Sequence, residues 1–196
     1  MYAAIAPHDP DKVLQEEWLN ARGAIARFDR DAIEIRIIDI QECPTADVAL
    51  AHAITCVLRA LVSERWQPLE RQKTFGTEPL NSILLATTLD AEAATIADAD
   101  YLGAFGIHAK NARAGDVWQH LVETVVARDG EFSSEWASVM ETILREGPLS
   151  RRILNALAGD RPRVSGKFAL ARARLHDVYA ELCDSLKENR TFHAQA

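Results

Sequence analysis

Residues 32–44, AIEIRIIDIQECP, decide how the front of this chain is read. Three isoleucines alternate there with Glu34 and Arg36. Successive side chains of a β-strand point to opposite faces, so this alternation predicts a strand with one apolar face and one charged face. The open question is why an acid and a guanidinium stand two residues apart at the centre of the most strand-like segment in the protein.

The charged strand belongs to a predicted hairpin. Segments at about 23–28 and 32–40 have strand character and flank the turn sequence DRD. From Thr45 the apolar residues recur at helical spacing, with Thr45 as a suitable N-cap, and this helix is predicted to end near Arg65. A lone hairpin is not stable in water, so we expect helices to cover the face that carries the isoleucines.

Most of the remaining chain is predicted to be helical. The sequence therefore predicts an α+β protein, in which a short antiparallel sheet near the N-terminus (strands within about 23–40) packs against a mostly helical C-terminal region (about 46–190). Its length suits a single domain over residues 1–196. A loop is expected over 66–78, and helices are expected over 10–20, 79–99, 115–128, 133–147, 148–159 and 165–189.

Composition narrows the classes of function. The net charge of -7 and the pI of about 5.4 make nucleic acid an unlikely partner. Three cysteines without C-x-x-C spacing favour a reducing cytoplasm. The N-terminus lacks the basic and apolar regions of a signal peptide, and no stretch reaches the roughly 20 apolar residues of a membrane helix, so no membrane association is predicted.

The hairpin also predicts a charged cluster. If Asp29–Ala32 form a four-residue loop, Phe28 lies opposite Ile33 and Arg27 lies opposite Glu34, so Arg27, Glu34 and Arg36 share the open face. A carboxylate suits a hard cation such as Mg²⁺, and a planar guanidinium suits phosphate or carboxylate oxygens. The alternative is a solvated strand face with a cross-strand ion pair of little energetic value, and the residues alone favour that alternative.

Other reactive side chains give weaker signals. Cys43 follows the strand, but without an apparent His–Asp partner it is predicted to be a small buried or loop residue rather than a nucleophile. His52, His108 and His120 lack metal-ligand spacing and are predicted to be ordinary histidines. The glycines are scattered, and no phosphate-binding glycine loop is present.

Residues 26–61, ARFDRDAIEIRIIDIQECPTADVALAHAITCVLRAL, show the pattern E-x-R-x-x-D, then a short loop with proline, then a long alanine-rich helix. This pattern resembles the C-terminal half of glutamate–cysteine ligase family 2, the ATP-dependent carboxylate–amine ligases of the wider glutamine synthetase superfamily. The resemblance implies that ATP phosphorylates a carboxylate, that an amine attacks the acyl-phosphate, and that Mg²⁺ holds the phosphates. Small amino acids are the implied substrates, and glutathione biosynthesis is the implied pathway.

The resemblance also implies roles for the clustered residues. By position, Glu34 matches the metal-binding glutamate of the family. Arg36 matches its catalytic arginine, which also binds phosphate or substrate, and Arg27 matches a cofactor-binding arginine on the preceding strand. The sequence departs from the family over 110–118, where the family's N-x-W-x-A-x-R-x-G segment has no clear counterpart.

A larger departure is that the family's N-terminal half, with the other acidic strand and most nucleotide contacts, has no counterpart in these residues. We therefore expect a portion of a ligase that is inactive alone and associates with an N-terminal half or with another copy of itself. If the chain were active alone, Asp39 and Glu42 would be the next acids to consider. The alternative function is a non-catalytic helical interaction module that retains the strand as scaffold.

Overall fold

The structure, a computed structural model, describes residues 2–14, 23–158 and 172–193. The chain divides into two compact units, Met1–Ile40 and Gln41–Ala196. In the described residues, the first unit holds a β-hairpin and the second is mostly helical. The predicted α+β class is therefore confirmed. The packing of the hairpin against the helices and the single domain stay predictions.

The described part of the first unit contains a one-turn helix and the hairpin. Its elements are α1 (Tyr2–Ile5), β1 (Ala24–Arg27) and β2 (Ala32–Ile35). A 3-10 turn at Phe28–Arg30 joins the antiparallel strands, and Asp31 completes the turn with a left-handed φ of 47°. Aspartate tolerates this conformation better than most residues because its short side chain can bond locally.

The hairpin is confirmed, but β2 ends five residues before the predicted strand end at residue 40. The backbone N–H of Arg36 still donates to the Gly23 carbonyl at 2.8 Å, which extends the pairing by one step. The helix predicted over 10–20 is not seen in residues 10–14, and its remainder, 15–20, lies outside the described residues.

The strand register differs by two residues from the predicted one. Arg27 lies opposite Ala32, and Ile25 lies opposite Glu34, because the four-residue turn begins at Phe28 rather than at Asp29. A shift of two residues leaves every side chain on the same face of a strand. The predicted grouping of the charged residues on one face therefore survives the error in register.

The exposure of the two faces is opposite to the prediction. Ile33 and Ile37 are 62% and 60% exposed, whereas Ile25, which shares the face of Glu34, is 8% exposed. The side chain of Arg27 is only 13% exposed. Ile25 supplies an apolar centre to the charged face, and arginine stems can cover apolar surface while their guanidinium groups stay paired. The expectation that the charged face points into open solvent was wrong.

The described part of the second unit contains eight α-helices and a two-stranded antiparallel sheet with two residues in each strand. Its elements are α2 (Pro44–Val62), α3 (Leu69–Gln72), α4 (Thr77–Asp90), β3 (Thr95–Ile96), α5 (Ala99–Gly103), β4 (Ala112–Arg113), α6 (Ala114–Thr124), α7 (Ser134–Glu146), α8 (Leu149–Ala158) and α9 (Arg172–Glu188).

Most helices of the second unit match their predictions, and the differences have local causes. The helix predicted over 79–99 stops at Asp90, because Ala91 has a φ of 50° that a right-handed helix cannot continue, and β3 follows. The predicted loop at 66–78 contains α3. Residues 165–171 of the last predicted helix lie outside the described residues.

The long helix α2 begins two residues earlier than predicted. Its N-cap is Cys43 rather than Thr45, because Pro44 occupies the first helical position, where its fixed φ and missing N–H cost nothing. Asp47 lies in the first turn and accepts a 2.8 Å hydrogen bond from the backbone N–H of Gln41. Helix α2 buries several small residues, including Ala46, Ala49 and Ala53. These residues belong to hydrophobic clusters that also contain residues of α7.

Helix α2 also has the length and composition of a membrane-spanning helix. Only this helix among the described residues meets both conditions, contrary to the expectation from the sequence that no stretch is long and apolar enough. A core helix meets the same conditions, and a third of the tested window, 33%, is buried within the structure. Length and composition therefore do not assign α2 to a membrane.

A buried ion pair connects distant parts of the second unit. Arg152 on α8 and Glu42, just before α2, are both fully buried, and Arg152 Nη1 lies 2.6 Å from Glu42 Oε1. Arg152 Nη2 donates to Glu42 Oε2 at 3.3 Å, and Arg152 Nε donates to the Gly147 carbonyl at 3.2 Å. Near the end of the described chain, Phe192 accepts from Arg152 through its carbonyl and donates its N–H to Glu42 Oε1.

We predict that Glu42→Gln lowers the free energy of unfolding by about 3–5 kcal/mol, because removing one partner leaves the Arg152 charge buried without compensation. Urea unfolding followed by circular dichroism measures this loss. Glu141→Gln is the matched control, since Glu141 is 72% exposed and pairs with Arg145 at 3.4 Å, and its cost should stay within about 0.5 kcal/mol. Equal costs for the two variants would contradict a structural role for the pair.

Candidate functional site

The three residues predicted as a site do come together on the hairpin. Arg27 Nη1 donates to Glu34 Oε2 at 2.7 Å, and Arg36 Nε donates to Glu34 Oε1 at 3.0 Å. Arg27 ends β1, Glu34 lies in β2, and Arg36 follows that strand. The alternation that raised the original question thus places one carboxylate between two guanidinium groups, which we call the arginine cluster.

The turn beside the arginine cluster carries three further charged residues, Asp29, Arg30 and Asp31. Asp29 lies 3.5 Å from Arg27 Nε and 3.4 Å from Arg30 Nε. Counting Asp31, which completes the turn, the three arginines are balanced by three acids at this end of the hairpin. The case for an anionic ligand therefore rests on the guanidinium groups, which present the paired donors that phosphate and carboxylate oxygens accept.

The electrostatics of Glu34 follow from its two partners. The hydrogen bond from Arg27, helped by the one from Arg36, holds the pKa of the Glu34 carboxyl below its ordinary value, although partial desolvation acts in the opposite direction. Glu34 therefore stays ionised over the whole physiological range. The carboxylate is 39% exposed, so water or a ligand can reach it without unfolding the hairpin.

The described residues of the hairpin do not complete a magnesium site. Mg²⁺ requires near-octahedral oxygen ligands, commonly one or two carboxylates together with phosphate oxygens and water. Here both oxygens of Glu34 already accept from guanidinium groups, and Asp29 is paired as well. Glu34 could serve as one ligand only if its arginines moved to another anion and further oxygens came from elsewhere.

Two other candidates near the strand have structural explanations. Glu42 is buried against Arg152 and cannot reach a ligand in solvent. Cys43 is 1% exposed, and its burial raises the pKa of the thiol, so it is a poor nucleophile, as the sequence predicted.

A second cluster was missed by the sequence analysis. His52 and Cys56 on α2 lie beside Asp129, and the potential ligand atoms of these three side chains are all within 4.8 Å of one another. Their i, i+4 spacing on a predicted helix was a signal for the first two, since such residues share a face. Asp129 lies 77 residues beyond His52, and no local pattern could have joined it to them.

Comparison with known proteins decides the family. The family model of glutamate-cysteine ligase family 2 matches residues 6–171, which is most of the chain. The chain belongs to glutamate-cysteine ligase family 2. A protein of Archaeoglobus fulgidus, described as uncharacterized, is 50% identical over 52 residues, which are 26% of this chain. That match covers 14% of the relative, so only about one-seventh of the relative's length is represented, and no solved structure matches the chain.

Membership of glutamate-cysteine ligase family 2 confirms the resemblance first drawn from E-x-R-x-x-D. The activity of an ATP-dependent carboxylate–amine ligase stays a prediction for this chain. The assignment to the C-terminal half of such a ligase stays a prediction. The roles of Arg27, Glu34 and Arg36 in holding nucleotide and metal also stay predictions.

We predict that the Glu34 carboxyl titrates below the ordinary range of glutamate, and that Arg27→Ala raises the midpoint of this titration more than Arg36→Ala does. Carbon NMR of the labelled side chain measures both midpoints. Because the folded-state pKa is depressed, the stabilisation from these pairs is present above the ordinary pKa and is lost as pH falls through the folded value.

Arg30→Ala is the control for this titration, because Arg30 is 67% exposed and contacts Asp29 rather than Glu34. An unperturbed Glu34 midpoint in the wild-type chain, or an equal shift in Arg30→Ala, would show that the arginine cluster does not hold together in solution.

Proposed function

We propose that this chain is the C-terminal portion of an ATP-dependent carboxylate–amine ligase of the glutamate–cysteine type. The observation that carries the proposal is the arginine cluster, in which two guanidinium groups hold one ionised carboxylate in a chain of this family. Its amino-acid substrates would be joined through an acyl-phosphate, as in glutathione biosynthesis. The three free cysteines fit a reducing cytoplasm.

The arginine cluster has the chemistry to receive phosphate. Phosphoryl transfer depends mainly on positioning and on charge stabilisation, and Arg27 and Arg36 supply positive charge in a fixed orientation. A phosphate group offers more negative charge than one carboxylate and would compete with Glu34 for both arginines. The oxygens of Glu34 would then be free to hold Mg²⁺, which supplies charge neutralisation to the phosphates when bound.

The proposed site needs a second contributor. Glu34 offers one carboxylate, whereas bound Mg²⁺ commonly takes one or two carboxylates together with phosphate oxygens and water. The relative from Archaeoglobus fulgidus is about seven times longer than the segment it shares with this chain. We propose that the missing ligands come from an N-terminal half, or from a second copy of the chain, and that the isolated chain is inactive.

One observation favours a competing function. The arginine cluster is already internally paired, which is also what a non-catalytic helical interaction module would retain on a scaffold strand. The two functions differ in whether the arginines release Glu34 to an anion. Nucleotide binding therefore distinguishes them.

We predict that ATP binds the isolated chain weakly without metal, and that Arg27→Ala and Arg36→Ala each weaken binding by roughly tenfold or more, since a charge-assisted hydrogen bond contributes about 1.5–3 kcal/mol. Glu34→Gln should bind metal-free ATP at least as well as the wild type, because it removes the competing carboxylate. Isothermal titration calorimetry measures these affinities, and Arg30→Ala is the control. An affinity unchanged in both Arg27→Ala and Arg36→Ala would favour the interaction module.

The activity test follows from the missing ligands. With glutamate, cysteine, ATP and Mg²⁺ present, the isolated chain should release phosphate at the background rate. Addition of a matching N-terminal half should restore amide formation, and Glu34→Gln or Arg36→Ala should abolish the restored activity. Rapid turnover by the isolated chain would overturn the proposed division of the site.

A further inference from the structure

The cluster of His52, Cys56 and Asp129 belongs to the second unit, whereas the arginine cluster belongs to the first. His52 Nε2 is 3.3 Å from Asp129 Oδ1, and Cys56 Sγ lies within 4.8 Å of the ligand atoms of both residues. Cys56 is 3% exposed, and the side chains of His52 and Asp129 are 13% and 22% exposed. Among the described residues, this is the one group of three such side chains close enough to share an ion.

The contacts of the cluster do not form a nucleophilic triad. In such a triad the histidine lies between the nucleophile and the acid, so that it can accept the nucleophile's proton. Here His52 bonds to Asp129, and no hydrogen bond joins His52 to Cys56 among the described residues. Burial, followed by the charge of Asp129, raises the pKa of the Cys56 thiol, which is the opposite of activation.

The same arrangement matches the ligands of a transition metal. Imidazole nitrogen, thiolate sulfur and carboxylate oxygen are the ligands that zinc takes, at about 2.0–2.3 Å in tetrahedral order. That geometry separates neighbouring ligand atoms by about 3.3–3.8 Å. The observed His52–Asp129 distance of 3.3 Å falls in this range, and the limit of 4.8 Å for all three atoms leaves little movement to complete the site.

We propose that His52, Cys56 and Asp129 bind one zinc-class divalent ion, which links helix α2 to the chain that follows α6. The ion replaces the proton of the Cys56 thiol, which passes to the buffer, and takes the Nε2 lone pair of neutral His52 while the ring proton resides on Nδ1. A water molecule completes the tetrahedron on the side where Asp129 reaches solvent.

The surroundings of the cluster orient its side chains. The ring of His52 packs near Trp136 and Phe132, with centroid distances of 4.9 and 5.8 Å. The backbone N–H of Glu131 donates to Asp129 Oδ1 at 3.0 Å. Such outer contacts fix ligand orientation and raise metal affinity.

Among the described contacts of Asp129, one comes from an arginine, Arg59. Its Nη1 atom lies 3.7 Å from Asp129 Oδ2. Its charge opposes a cation, but its side chain is 63% exposed and can turn toward water. Because Arg59 contacts Oδ2 and His52 contacts Oδ1, the carboxylate can also keep its arginine while Oδ1 binds the ion. With a thiolate and a carboxylate, the ligand set offers two negative charges to a divalent ion.

Cobalt(II) reports on the proposed site, because it accepts the same ligands as zinc and a bound thiolate gives it an intense ultraviolet absorption band. The full 196-residue chain, kept reduced with a phosphine, should bind one Co²⁺ with this band, and Zn²⁺ should displace it. Cys56→Ser should abolish the band, and Asp129→Asn should weaken binding at least about tenfold. Bound Zn²⁺ should also raise the midpoint of thermal unfolding.

Cys43→Ser is the matched control, since Cys43 is also buried and caps the same helix, and Cys183→Ser tests the exposed thiol. Both should keep the cobalt band. Circular dichroism checks folding, and if Cys56→Ser fails to fold, Asp129→Asn, with its partly exposed side chain, decides the test. A folded wild-type chain without the band, a band that Cys183→Ser removes, or full affinity in Asp129→Asn would each overturn the site.

Discussion

A charge that leaves water must meet an opposite charge, and the second unit is organised around one such requirement. Glu42 and Arg152 are 110 residues apart in sequence and fully buried, and each also satisfies backbone groups of Gly147 or Phe192. The pair therefore fixes the entry to α2, the start of α8 and the segment after α9 at one point. Helix α2 in turn contributes residues to three of the hydrophobic clusters.

The two systems of ion pairs in this chain have different physical characters. The buried pair has no access to solvent, so no ligand can exchange with either partner, and it acts as structure. In the arginine cluster the carboxylate of Glu34 is 39% exposed, and exposed pairs contribute little to stability. A weak, accessible pair can be exchanged for a stronger anion at small cost, and this property suits a binding site better than a scaffold.

The features that depend on local geometry, such as strand faces and helix ends, were predicted from the local sequence. The alternation around Glu34 predicted the hairpin and the grouping of Arg27, Glu34 and Arg36, because the period of a strand fixes its faces even when the register shifts by two. Helical spacing predicted α2, and Gly147, with a φ of 92°, ends α7 where expected.

Features that depend on distant residues could not be read from the sequence. Nothing near Glu42 indicates Arg152, and nothing near His52 indicates Asp129. The partial covering of the charged face of the hairpin, at Ile25 and Arg27, was missed for a related reason. A pattern of alternating residues separates two faces but does not say which of them is covered.

The contact between Glu42 and Phe192 also affects how the chain is made. These residues are 150 positions apart, so the ribosome adds residues for roughly 8–30 s between them at bacterial and eukaryotic rates of synthesis. During that interval the carboxylate of Glu42 lacks the N–H of Phe192, so the contacts of Glu42 at the start of α2 are incomplete. The contacts that fix the start of α2 are therefore completed only after the segment that follows α9 has left the ribosome.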